Sequence, residues 1–227
     1  MTVPQPAYHQ LVKGDILSRT NLLLFIREFF RECQIDPGLY VEFGVLNGDS
    51  IKQANSILRG IVTGYLGFDT FSGMPQLSEL DARCKALHPR FDEGNYKSLG
   101  QETVQAVLQG AGVKPEQVSL YAKDVREIQP AEFEGLLKKH PGKPRIVHVD
   151  LDLHSSTLSA LNLVVPHVPS GSWFLFDDYW CYQGAPNCGV RRALHDFVQA
   201  NPHAHFDPYT NYNGWGRAFI YHNLSEA

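Results

Sequence analysis

Residues 38–50 read GLYVEFGVLNGDS, and this stretch decides the fold. Its first half is a short apolar run rich in aromatic and β-branched residues, the composition of a buried strand. Gly44 and Gly48 follow, where the backbone can turn tightly, and Asp49 or Ser50 opens a helical pattern that runs to about Arg59. Strand, glycine turn and helix make the opening of a βα unit, and the same alternation repeats along the chain. Further strands are expected at 64–70, 118–124, 145–151 and 172–178, with helices at 20–33, 101–111, 130–140, 156–165 and 189–200. Thr20 or Asn21 is expected to cap the first helix. Residues 205–223 read as a closing hairpin that turns near Asn213–Gly214. The expectation is one α/β domain over 1–227: a mostly parallel seven-stranded sheet, helices on both faces, and an antiparallel C-terminal hairpin. Residues 1–35 read as an N-terminal helical arm or lid, and the long irregular stretch 71–98 as a lid loop.

Composition narrows the function. A hydrophobic share of 43% in 227 residues is enough for a sizeable core. A net charge of −4 leaves no broad basic excess for a phosphate backbone, so nucleic acid is not an expected partner. No apolar stretch reaches the roughly 18 residues that would span a membrane. The segment MTVPQPAYHQ has neither the basic nor the apolar region of a signal peptide. The four cysteines, Cys33, Cys84, Cys181 and Cys188, lack C-x-x-C spacing and read as free thiols in a cytoplasmic protein; Cys181–Cys188 is the pair open to a disulfide.

The turn after the first strand has the makings of a cofactor cradle. Gly44 and Gly48 let backbone approach a ligand, although Leu46 breaks the G-x-G-x-x-G dinucleotide pattern. Asp69 ends the second strand, 21 residues after Gly48, where an acid can accept from a ribose diol. Asp124, at the end of the third strand, is a candidate for the adenine amino group or an ordinary turn residue. Glu42 lies inside the first strand, and a buried carboxylate needs a partner: a cationic ligand group, or a nearby Arg or Lys.

Two more strand ends carry acids. HVDLDLHSST (148–157) sets Asp150, Asp152 and His154 at alternate positions, and SWFLFDDYW (172–180) ends in Asp177–Asp178. Residues two apart share a strand face, so the first three are expected to point one way. Asp177 and Asp178 are expected to face opposite sides unless the strand ends and the chain turns. Clustered carboxylates repel, and an all-oxygen set favours Mg²⁺ or another hard divalent cation. The alternative is helix capping, by Asp152 or Ser155 for example.

YVEFGVLNGDSI, GFDTFSGMP, HVDLDLHSSTLSAL, FLFDDYW and GVRRALHDF together resemble the macrocin O-methyltransferase family, in the same order and over about residues 36–200. The resemblance implies a Rossmann-like class I methyltransferase fold. It implies S-adenosylmethionine and Mg²⁺ as cofactors, a hydroxylated small molecule such as a natural-product sugar as acceptor, and a homo-oligomer exchanging the N-terminal arm. Carried over by position, it makes Asp150, Asp177 and Asp178 the metal ligands and Asp152 the general base. Glu42, Gly44 and Ser50 then line the methionine end of the cofactor, and Asp69 holds its ribose. The chain departs from the family at His154, usually Tyr, and at Leu151, often Gly.

An aliphatic hydroxyl is a poor nucleophile, so metal-assisted deprotonation is the chemistry this acid set suits; His154 is the second candidate base. Trp180 and Tyr182 follow the acidic pair and are expected at the acceptor, ahead of Tyr209, Tyr212 or Trp215. His148 and His195 read as packing or surface residues. Three other functions compete: an NAD-dependent oxidoreductase or epimerase, a two-metal nucleotide hydrolase, and a non-catalytic cofactor-binding module. The first lacks a Tyr-x-x-x-Lys pair and the second a Gly-Lys phosphate loop.

Overall fold

The computed structural model describes residues 16–226. Seven strands follow the expected alternation: β2 (Gly38–Phe43), β3 (Val62–Asp69), β4 (Val118–Ala122), β5 (Pro144–Val149), β6 (Ser172–Phe176), β7 (Ala204–Tyr212) and β8 (Gly216–Asn223). A two-residue strand β1 (Ile16–Leu17) pairs parallel to β7 and adds an eighth at the edge. The sheet order is β1-β7-β8-β6-β5-β2-β3-β4. Strands β6, β5, β2, β3 and β4 run parallel, and β8 is antiparallel to both β6 and β7. The parallel strands are buried on both faces, as their near-continuous apolar sequences require.

Alternation along β2 divides the core. Leu39, Val41 and Phe43 face α5 (Pro130–Leu137), α6 (His154–Val164) and α7 (Gly189–Ala200), and pack with Phe133, Leu161 and Phe197. Tyr40 faces the other layer, made by α1 (Arg19–Glu32), α2 (Asp49–Ile57) and α4 (Gln101–Gly110), with Leu23, Ile51 and Leu108. Trp173 of β6 is wholly buried, edge-on to Phe29 at 5.4 Å and to Phe25 at 6.0 Å, and so docks α1 on the sheet.

Two helix starts differ from the sequence expectation. Helix α1 begins at Arg19, because Ser18 is extended and its hydroxyl accepts the Asn21 N–H at 3.2 Å; Thr20 and Asn21 lie inside the helix. Helix α6 begins at His154 after Leu153, whose side chain cannot cap. Neither Asp152 nor Ser155 does so. Instead Asp81, from a distant segment, accepts the His154 N–H at 2.8 Å.

That segment is the 71–98 stretch, which is more structured than its sequence indicates. It contains a short helix, α3 (Glu79–Cys84), and a following 3₁₀ turn at Lys85–Leu87. Met74, Cys84 and Phe91 pack with Leu153, Tyr182 and Cys188 in a small core of their own. Cys84 and Cys188 are disulfide-bonded, with Cα atoms 5.8 Å apart, which corrects both the free-thiol reading and the Cys181–Cys188 alternative. Cys33 and Cys181 are free. Among the described residues no helix is long and apolar enough to cross a membrane. Residues 1–15 of the expected arm lie outside the described residues.

Candidate active site

The carboxyl ends of β2, β3, β4, β5 and β6 surround a cavity of about 380 Å³. Its inner wall is the loop after β2. Gly44 (φ 88°), Leu46 (φ 48°) and Gly48 (φ 77°) all have positive φ, so the loop curls back on itself. At Gly44 a Cβ would lie 1.8 Å from the Asp150 carbonyl oxygen, so only glycine lets the ends of β2 and β5 come together. Gly48 answers to packing instead: its Cβ would meet Leu108 Cδ2 at 2.9 Å, and it does not line the cavity.

Asp69 does line it, and its carboxylate organises the loop. Oδ2 accepts the Val45 and Leu46 N–H groups, both at 2.8 Å, and Oδ1 accepts Phe71 N–H at 2.6 Å. A carboxylate offers about four acceptor sites, so about one remains for a ribose hydroxyl. Asp124 also lines the cavity, but Arg126 occupies both its oxygens through the backbone N–H and a fork of guanidinium bonds, the shortest 2.6 Å. That leaves it poorly placed to read an adenine amino group, in contrast to the sequence expectation.

Glu42 and Ser50 are not at the cavity surface either. Glu42 is wholly buried and accepts a short hydrogen bond from the Ser50 hydroxyl. Its second oxygen is 3.5 Å from His148 Nδ1, which also meets the Tyr40 hydroxyl at 2.9 Å. His148 Nε2 reaches Asp177 Oδ1 at 2.8 Å, the Tyr212 hydroxyl donates to the same oxygen at 2.5 Å, and Arg19 Nη1 approaches Oδ2 at 3.1 Å. A buried polar chain thus runs under the cavity from α2 through β2 and β5 to the end of β6, the hairpin and α1. His148, read from sequence as packing, is its central link. Burial disfavours its charge, but Asp177 and Glu42 outweigh that and raise its pKa to about 10. Its place beside Glu42 in the register of β2 and β5 is the sheet-level signal, invisible in a single strand.

The acids split just beyond the end of β6, which stops at Phe176. Asp177 faces the α1 layer with His148 and Tyr212. Asp178 faces the cavity with Asp150 and Asp152. Oxygens of Asp150, Asp152 and Asp178 lie within 4.8 Å of one another. Asp177 falls instead with Asp150 and His148, and does not line the cavity. Asp152 reaches this trio because the chain kinks there: φ is 59°, and Leu153 N–H bonds Leu151 O at 2.5 Å, a γ-turn of the strained hand. The same kink turns His154 away. Its Nε2 pairs with Asp196 of α7 at 3.0 Å and it takes no part in the cavity, so the expectation of His154 as a base is set aside.

Among the described residues no Lys or Arg pairs with Asp150, Asp152 or Asp178. Asp178 Oδ1 accepts from the Cys181 thiol at 3.0 Å, and its buried Oδ2 has no hydrogen-bond partner. Burial, then Asp150, raises the Asp152 pKa to about 8, while burial and neighbouring carboxylates push Asp150 and Asp178 up as well. Such a set is costly without a counter-charge, and its all-oxygen donors fit a hard divalent cation.

The outer wall comes from the 71–98 segment and the hairpin turn: Met74, His88, Arg90, Phe91, Tyr96 and Trp215. Phe91 stacks on His88 with centroids 3.7 Å apart. Trp180 and Tyr182 are elsewhere. Trp180 is held by Asn211 (3.0 Å) and by the Arg191 and Arg217 guanidinium groups over its ring, and Tyr182 is buried against Gly189.

A family profile described as Macrocin-O-methyltransferase (TylF) matches residues 25–212. The chain belongs to the macrocin O-methyltransferase family. It is therefore a methyltransferase. A curated Streptomyces olivaceus protein, 8-demethyl-8-(2,3-dimethoxy-alpha-L-rhamnosyl)-tetracenomycin-C 4'-O-methyltransferase, is 28% identical over 196 residues, covering 84% of this chain and 68% of that one. Two solved structures share the fold. The calicheamicin methyltransferase CalS11 has a TM-score of 0.67 at 21% identity, over 96% of this chain and 87% of that one. The O-methyltransferase NovP has 0.66 at 20%, over 89% and 78%.

Proposed function

We propose that this macrocin-family methyltransferase moves a methyl group from S-adenosylmethionine to a sugar hydroxyl of a small natural product, with a divalent cation at Asp150, Asp152 and Asp178. The observation that carries this is the trio itself: three carboxylates without a Lys or Arg partner at the edge of the glycine-loop cavity. When bound, the ion supplies Lewis acidity that lowers the pKa of the acceptor hydroxyl. Asp177, a ligand by the resemblance, is bonded here by His148, Tyr212 and Arg19 and so also anchors the buried chain.

The chain's own residues do the rest. The β2 loop and Asp69 seat the cofactor, with Phe68 and Val125 as apolar walls. The γ-turn fixes Asp152 at the cavity, where one carboxylate oxygen takes the proton from the attacking hydroxyl. The 71–98 lid excludes water and, with Trp215, shapes the acceptor space. Holding donor and acceptor in line supplies much of the rate. The sugar acceptor is supported by the Streptomyces olivaceus relative, whose name specifies transfer to a rhamnosyl 4'-oxygen.

The test is methyl transfer from labelled S-adenosylmethionine to rhamnosylated aromatic acceptors, with Mg²⁺ and with EDTA. Transfer that stops with EDTA and resumes with Mg²⁺ is expected. Transfer at an undiminished rate in EDTA would remove the cation, and binding of NAD in place of S-adenosylhomocysteine would remove the donor.

A further inference from the structure

Three residues other than glycine line the cavity with positive φ: Leu46, Asp152 and Tyr96. Such a backbone is strained in any residue with a Cβ, and it gathers at active sites and ligand clamps that use it. Leu46 belongs to the cofactor loop and Asp152 to the carboxylate trio. Tyr96 (φ 57°) is the third, and its bulk makes the conformation the more unusual.

Hydrogen bonds on both sides hold it there. Asn95 O accepts Met74 N–H at 2.7 Å, Met74 O accepts Gly94 N–H at 2.9 Å, and Asn95 Nδ2 donates to Arg90 O at 2.9 Å. Beyond it the Ser98 hydroxyl donates to Leu46 O at 2.5 Å, and Leu99 N–H to Asn47 Oδ1 at 3.1 Å, both in the cofactor loop. Tyr96 thus sits on a fixed frame between the outer wall and the cofactor loop, and its ring is open to a ligand. The side chain is 46% exposed, and the Phe91 ring is 6.0 Å away and tilted by 52°. Among the described residues the Tyr96 hydroxyl has no hydrogen-bond partner. Partial burial, then Asp152 and Asp178, raise its pKa, so the phenol lies on the carboxylate side of the cavity.

We propose that Tyr96 is a specificity-determining residue whose ring is the platform for the apolar face of the acceptor's sugar. The C–H bonds on that face carry partial positive charge and meet the negative face of the aromatic ring. The reacting hydroxyl has to sit at the carboxylates, so a ring placed beside them meets the sugar rather than the aglycone. A deoxyhexose, with a methyl in place of a hydroxymethyl group, offers more apolar surface and is the expected preference. This rests on the sugar-acceptor reading above.

Saturation-transfer nuclear magnetic resonance with nitrophenyl α-L-rhamnoside, on the full chain with S-adenosylhomocysteine and Mg²⁺, reports contact with the sugar protons and the nitrophenyl protons separately. Tyr96→Ala is expected to lose saturation of the sugar protons more than of the nitrophenyl ones. Its KM for this acceptor should rise about tenfold, with kcat within about threefold and S-adenosylhomocysteine affinity unchanged. Tyr96→Phe keeps the ring and is expected to recover most of the affinity. Tyr96→Gly, which suits φ 57°, gives the same readout if Tyr96→Ala does not fold. Loss of S-adenosylhomocysteine binding by Tyr96→Ala would show a structural part in the cofactor loop instead, and would overturn the proposal. So would unchanged sugar saturation, a loss confined to the nitrophenyl protons, or a Tyr96→Phe variant as impaired as Tyr96→Ala. A wild-type protein that binds S-adenosylhomocysteine but neither contacts nor methylates the glycoside would remove the sugar reading itself, and this inference with it.

Discussion

Gly44→Ala is the substitution whose consequence follows most directly from geometry. The new Cβ would sit 1.8 Å from the Asp150 carbonyl oxygen, and real Cβ contacts essentially never fall below 3.0 Å. The ends of β2 and β5 would have to separate by at least about 1.2 Å, since neither backbone can rotate out of a close-packed sheet. Gly44 also has φ 88°, where an L side chain adds about 1–2 kcal/mol. The movement falls on Asp150, which bonds the end of β2 through its N–H to Phe43 O at 2.8 Å and carries one of the three clustered carboxylates. A displacement of about 1 Å at reacting groups costs on the order of 100-fold in rate. The expected result is a folded protein, less stable by about 2–4 kcal/mol in urea. Its methyl transfer should fall on the order of 100-fold and its Mn²⁺ binding should weaken. A variant with wild-type turnover and wild-type melting would refute the close approach of β2 and β5.

Three further outcomes are expected. Trp215→Ala should raise KM for the acceptor by about tenfold, leaving S-adenosylhomocysteine affinity unchanged, whereas Trp180→Ala should lower the melting temperature and spare KM. Asp196 should make part of stability acid-sensitive. Burial alone would raise its pKa, but hydrogen bonds from Arg192, His154 and His195 bring it from 3.8 to about 2. The folded value is the lower one, so its contribution of about 1–2 kcal/mol is present above pH 4 and fades as pH falls through 2. Urea titrations of Asp196→Asn should therefore show a deficit at pH 7 that is much smaller at pH 2; equal deficits would contradict this. Cys84→Ser/Cys188→Ser should lower stability by about 2–4 kcal/mol in equilibrium unfolding, because the bond closes a loop 104 residues long.

The parallel sheet was legible because its strands are short apolar runs rich in aromatic and β-branched residues and bounded by glycine or acid, too short for helices. Asp177 and Asp178 follow the end of β6 at Phe176, and they face different surroundings. What parity could not supply was the identity of the neighbours. Asp177, a metal ligand by the family resemblance, is bonded by Arg19 and Tyr212, which lie 158 and 35 residues away and could not be read as its neighbours. His148 looked like packing because Glu42 meets it only across the β2–β5 register. His154 shares strand parity with Asp150 and Asp152, but the γ-turn at Asp152 breaks the strand geometry on which parity depends. The Cys84–Cys188 bond and the Asp81 cap on α6 were equally hidden, since both depend on how the 71–98 segment folds back.

The most direct measurement is Mn²⁺ and S-adenosylhomocysteine titration of Asp152→Asn and Asp178→Asn beside the wild type. If the trio seats a cation, both variants should lose Mn²⁺ affinity by about tenfold or more while binding S-adenosylhomocysteine normally. Wild-type Mn²⁺ affinity in both variants would place the cation elsewhere, or nowhere, and the clustered carboxylates would need another explanation.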